Sequence, residues 1–138
     1  MTSTHGWTPR WWAITPLVLA LALLTGCGGD DSSPEDEIRA QLETFQTATN
    51  ERDFKTICEE VITPEAKSTL EAFGGPCPEE FAEDTPEGVQ VEDFSVDNVE
   101  IEGDEAIVDL TFTTDGQQGS ETRIFERIEG EWRLGLNP

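Results

Sequence analysis

The chain reads as an α+β protein, with N-terminal helices packed on one face of an antiparallel sheet. One change of period and one pair of cysteines predict this. Between residues 35 and 82, apolar side chains recur every three or four positions, as on one face of a helix. After Val89 they recur every second position, as on one face of a strand. Cys58 and Cys77 both fall in the helical part, where a link between them would tie neighbouring helices together.

Each element has its own signals. Ser33-Pro34-Glu35-Asp36 predicts a helix start: the hydroxyl caps free N–H groups, proline suits the first turn, and the acids face the positive end of the dipole. Ile38, Leu42, Phe45 and Ala48 follow as its apolar stripe, and Asn50 is read as its end. Asp53 is expected to cap a short second helix that buries Phe54, Ile57, Cys58 and Val61. Thr63-Pro64-Glu65 opens a third, with Leu70 and Phe73 facing inward and Gly74-Gly75 ending it. Pro78–Ala82 is read as one further turn, with Phe81 as its apolar contact.

In the second half, Val96, Val99 and Ile101 predict a strand whose phase slips near Asp97-Asn98, the mark of a bulge. Glu102-Gly103-Asp104 is the first turn. Ala106, Val108, Leu110 and Phe112 share one face of the next strand, with Ile107 and Asp109 on the other. Asp115–Gly119 is read as a loose turn, Thr122–Ile128 as a strand, and Glu129-Gly130 as a tight turn into Trp132, Leu134 and Leu136. The result is a meander with one face against the helices.

The first thirty residues differ in kind. Arg10 is their single Lys or Arg, no acid occurs before Asp30, and an apolar run covers Ala13–Leu24. A membrane-spanning helix needs about 20 apolar residues, so this run of about twelve fits an export signal better than a permanent anchor. Leu24-Thr25-Gly26-Cys27 closes it and resembles the lipobox of bacterial lipoproteins. There Cys27 would receive a diacylglycerol thioether and cleavage would fall just before it. Acyl chains, palmitate among them, stabilise membrane residence by about 0.8 kcal/mol per buried CH₂. The organisation expected is a signal peptide at 1–26, a lipidated cysteine and acidic tether at 27–34, and one domain at 35–138. The address expected is the extracytoplasmic face of the cell membrane. An uncleaved anchor using Trp11 and Trp12, or a chance cysteine behind an ordinary secretory signal, are the alternatives.

The chain carries thirty acids against eight Lys and Arg, a net charge of −22. Phosphate backbones require a basic surface, so nucleic acid is excluded as a partner. With Cys27 assigned to lipid, Cys58 and Cys77 form an even pair, and exported thiols usually end as disulfides. A zinc pair is the alternative, but the only histidine is His5, in the leader, and the spacing of nineteen is not that of a zinc site. The acids Glu100, Glu102, Asp104 and Glu105 do not form a calcium-loop pattern. No phosphate-loop, dinucleotide, zincin or nucleophile-elbow motif occurs. No cofactor and no metal is implied.

Asn50-Glu51-Arg52-Asp53-Phe54 between the first helices and Gly130-Glu131-Trp132-Arg133-Leu134 at the end resemble the cystatin-like cone of the nuclear transport factor 2-like (NTF2-like) superfamily. Small exported NTF2-like lipoproteins of actinobacterial type are more similar still. The resemblance covers residues 35–136. It implies a curved sheet with a cavity at the open end of the cone, in a superfamily that holds both enzymes and non-catalytic binding modules. The catalytic branches use tyrosine, histidine or an Asp-Arg-Asp set. This chain has no tyrosine, and Arg123, Arg127 and Arg133 are read as lying on the polar phases of their strands. Phe94, Phe112, Phe125 and Trp132 could line a pocket or form core. The function expected is a non-catalytic module whose ligand enters the cone or lies against the exposed sheet: a small apolar molecule, a peptide or an envelope protein. The alternative is a lyase or isomerase with a buried carboxylate, for which Asp109 is the weak candidate.

Overall fold

A computed structural model describes residues 32–136 of the chain. The segments read as signal peptide and lipobox, with Cys27, and most of the segment read as tether lie outside the described residues. The element order is α1 (Pro34–Glu51), α2 (Phe54–Thr56) with a π-helical turn (Ile57–Val61), α3 (Pro64–Phe73), α4 (Cys77–Asp84), then β1 (Val91–Glu102), β2 (Glu105–Thr114), β3 (Gln117–Ile128) and β4 (Glu131–Leu134). The strands form one antiparallel sheet in the order β1-β2-β3-β4. The α+β architecture read from the periodicity is the one observed. Among the described residues no helix is long and apolar enough to cross a membrane.

The caps do what their chemistry requires. The Ser33 hydroxyl accepts from the Asp36 N–H at 3.2 Å, while the Asp36 carboxylate accepts from the Ser33 N–H at 3.4 Å. This reciprocal arrangement satisfies donors that a helix start leaves unpaired. Asp53 accepts from the Thr56 N–H at 3.2 Å and hydroxyl at 2.8 Å, and Thr63 accepts from the Ala66 N–H at 3.1 Å. Asn50 does not end the first helix. α1 runs one residue further and closes at Arg52, which adopts the left-handed conformation with φ 57°.

The Asn50 side chain has other work. Its Oδ1 accepts from the Val91 N–H at 2.8 Å and its Nδ2 donates to the Val91 carbonyl at 2.9 Å, so the amide imitates a neighbouring strand at the start of β1. Gln46, one turn earlier, donates to the Val91 and Glu92 carbonyls at 2.9 and 2.7 Å. α1 is thereby clipped to the sheet edge.

Two apolar clusters meet along α1. Ile38 and Leu42 pack with Ala106, Val108, Leu110, Phe125 and Trp132 of the sheet. Ala48 packs with Phe54, Ile57, Val61, Ile62 and the two cysteines. Leu134 touches both clusters. Ile62 and Leu134 form a parallel bridge, and the Thr63 N–H donates to the Leu134 carbonyl at 2.9 Å, covering the outer edge of β4.

The register of β1 slips between Val96 and Asn98, where the bulge was expected, and again between Val91 and Asp93. The segment read as a loose turn at 115–119 is a two-residue turn, Asp115-Gly116, with φ of 50° and 73°. Two positive φ values match the right-handed twist of the flanking strands. Gln117, Gln118 and Gly119 therefore belong to β3. Gly119 is a strand residue because the Phe112 ring occupies the place of its side chain: a Cβ there would lie 2.7 Å from the ring. Phe73 also departs from expectation. α3 overruns the elements it packs against, and Phe73 is 90% exposed on its last turn.

Replacing Asn50 by alanine leaves the Val91 N–H without its partner beside the core, while the Val91 carbonyl keeps Gln46. The expected cost is about 1–3 kcal/mol in urea unfolding, with faster exchange of the Val91 amide. Unchanged exchange at Val91 would show that the clip contributes nothing.

Candidate functional site

Between α1, α3, α4 and the inner face of the sheet lies a cavity of about 200 Å³. Leu42 and Phe45 form its α1 wall, Ala66 and Leu70 its α3 wall, and Phe81 the α4 side. Phe94, Leu110 and Leu134 form the sheet floor, and Gly135 with Leu136 borders the opening. Phe45 meets Phe94 edge-on at 6.1 Å, and Phe94 leans on Phe112 at 6.3 Å. Such pairs fix ring positions with little loss of rotamer freedom. The cavity is smaller than the 300–1,000 Å³ typical of drug-sized ligands, so it suits a short hydrocarbon or one large apolar side chain.

Its polar features are Glu121 and Arg123 on β3. The register places Glu121 opposite Leu110 and Arg123 opposite Val108, both buried, so the two charges share the inner face of the sheet. Arg123 Nη2 donates to Glu121 Oε2 at 2.7 Å, with side chains 34% and 29% exposed. A charge-assisted bond of this length commits each group to the other at the cavity mouth.

The structure separates the residues singled out in the sequence. Asp109 lies on the outer face of β2, away from the cavity, where it accepts from the Thr122 hydroxyl at 2.7 Å. Phe94 lines the cavity, Phe112 backs it, and Phe125 and Trp132 are core, each 1% exposed. Arg133 is on the outer face as expected and donates to the Glu59 carbonyl at 2.8 Å. Arg123 and Arg127 are corrections. Both stand on the inward phase of β3, Arg127 opposite Trp132 with its guanidinium 5.8 Å from the ring. Reading polarity as exposure misplaces them. Counting back in twos from Phe125 puts Arg123, Glu121 and Gly119 on the inner face, and that parity was available in the sequence.

Cys58 and Cys77 form the disulfide expected of them, with Cα atoms 6.1 Å apart. It joins the π-helical turn to the start of α4 and so holds Phe81 against the cavity. Among the described residues no group of three or more His, Cys, Asp or Glu converges as a metal site would require.

No protein-family model and no curated protein matches the chain. Solved structures do. One is an NTF-2 like protein of unknown function from Silicibacter pomeroyi, 16% identical, covering 71% of this chain and 87% of its own, with a TM-score of 0.49. A second, named as an NTF2-like transpeptidase, comes from Campylobacter jejuni. It is 16% identical, covers 77% of this chain and 100% of its own, and has a TM-score of 0.49. The third is an LEH-like epoxide hydrolase of M. tuberculosis, 19% identical, covering 77% and 83%, with a TM-score of 0.43. Activities do not travel with such likenesses, because one fold hosts many sites.

Converting both Cys58 and Cys77 to alanine opens a loop of nineteen residues. The chain-entropy model puts the loss near 3 kcal/mol, read as a lower urea midpoint by circular dichroism. An unchanged midpoint would show that helix packing alone holds α4 in place.

Proposed function

We propose that the protein is a lipid-anchored extracytoplasmic NTF2-like module that binds an apolar group in its helix–sheet cavity and does no chemistry there. The observation that carries the binding role is the cavity itself: apolar walls from three helices and the sheet, and one ion pair at the mouth. Apolar burial supplies the affinity and the ion pair restricts orientation. Glu121 is the carboxylate that borders the cavity, and its Oε2 is committed to Arg123 rather than open to a substrate. Asp109, on the far face, cannot reach a bound ligand. The anchor rests on Leu24-Thr25-Gly26-Cys27 and the apolar run before it.

Two measurements test the halves separately. The one-ring hydrocarbon toluene is expected to bind the full chain, read as a rise in melting temperature. Ala66→Phe, which projects a ring from the α3 wall, should weaken that binding by tenfold or more, about 1.4 kcal/mol; Leu70→Trp serves if the first variant folds poorly. Binding that ignores both variants would place the ligand elsewhere. For the anchor, mass spectrometry of protein from its own membranes is expected to find the chain starting at a diacylglyceryl Cys27, and Cys27→Ser should release it. An unmodified Cys27, or a retained leader, would remove the address.

A further inference from the structure

β3 is twelve residues long, yet β4 pairs with only its last four, Phe125–Ile128. The Gly135 N–H extends the pairing once, donating to the Ile124 carbonyl at 2.8 Å. Beyond that, among the described residues, no strand pairs with Gln117–Arg123 on this side. Alternation in an antiparallel strand decides which groups are left over. Ile124 points its carbonyl toward β4, and the Arg127 N–H points the other way, to the Asp104 carbonyl at 2.7 Å. The even-numbered residues Gln118, Ser120 and Thr122 therefore aim their N–H and C=O groups outward from the edge, and all three are exposed.

The opposite edge of the sheet is guarded and this one is not. β1 carries Glu92, Asp93, Asp97, Glu100 and Glu102, and its first residue is sealed by Asn50. Charges and covered backbone are the usual protection of an edge strand. Gln117–Arg123 has one acid and one base, bonded to each other and turned to the inner face. The cavity lies beside this same stretch: Glu121, Arg123, Gly135 and Leu136 line it, and Leu136 is 40% exposed.

We propose that Gln117–Arg123 is a docking edge for an extended basic peptide, which adds a strand antiparallel to β3 and sends one apolar side chain into the cavity. Strand addition draws affinity from main-chain bonds and selectivity from a pocket that takes alternate side chains. The cavity volume of about 200 Å³ matches a single large side chain. Charge complementarity selects the occupant: the chain bears −22, so a cationic segment is steered in while a second copy of the chain is repelled. The use of the cavity rests on the binding role proposed above; the edge does not.

The test uses the full ¹⁵N-labelled chain and the peptide Lys-Thr-Phe-Thr-Phe-Thr-Lys, with amide exchange as readout. At peptide concentrations about tenfold above Kd, exchange at Gln118, Ser120 and Thr122 should slow by about tenfold. Gly119, Glu121 and Arg123, already bonded to β2, should not change. The peptide N-methylated at alternate amides, and its version with Glu for Lys, should give no protection. Ser120→Pro removes one outward N–H and should abolish the effect while toluene still binds; the N-methylated peptide decides the matter if that variant does not fold. Unchanged exchange at the even residues overturns the proposal. So does slow exchange there before peptide is added, whether or not it varies with protein concentration. Protection by peptide without toluene binding would sink the cavity reading and leave the edge standing; the reverse would sink the edge alone.

Discussion

Ile38 and Leu42 press α1 into the sheet, and Ala48, near its other end, presses it into the short helices. One helix thus belongs to two apolar clusters that touch through Leu134 without merging. An 18-residue helix is about 27 Å long, too long for a single compact cluster to cover in a domain of this size. Where one cluster gives way to the other, side chains from α1, α3, α4 and the sheet converge but do not fill the space. The cavity is that gap. Its walls stay apart because Asn50 and Gln46 hold α1 to β1 and the disulfide holds α4 to the π-helical turn.

Much of this was legible in the chain. Caps and glycine turns are local chemistry, so Ser33, Asp53, Thr63 and Glu129-Gly130 could be placed without knowing the fold. The bulge near Asp97-Asn98 followed from a slipped alternation. Misreadings arose where a tertiary neighbour overrides local preference. Gly119 looks like loop until Phe112 is known to lie across it, and Asn50 looks like a helix stop until Val91 is known to need its amide. Phe73 fails for the opposite reason: it lies on the correct helical face, but nothing faces it.

The site was less legible than the fold. Glu121 and Arg123 are charged residues on an inward phase, and polarity alone sends such residues to solvent. Their tolerance of that position has a physical basis: a 2.7 Å charge-assisted bond within one strand face, at a mouth that still reaches water. Asp109 was visible because apolar residues flank it in sequence. Flanking residues on a strand point to the other face, so that environment says nothing about the carboxylate itself.

The arginines have a further consequence. Arg52 donates to the Thr85 carbonyl at 3.0 Å, Arg123 holds Glu121, Arg127 donates to the Gly130 carbonyl at 3.2 Å, and Arg133 donates to that of Glu59. These cations are spent on internal fastening, and most carboxylates among the described residues face outward with little to neutralise them. The folded body is therefore a polyanion wrapped in mobile counterions, whose self-repulsion softens the compact state in dilute buffer and fades as electrolyte is added.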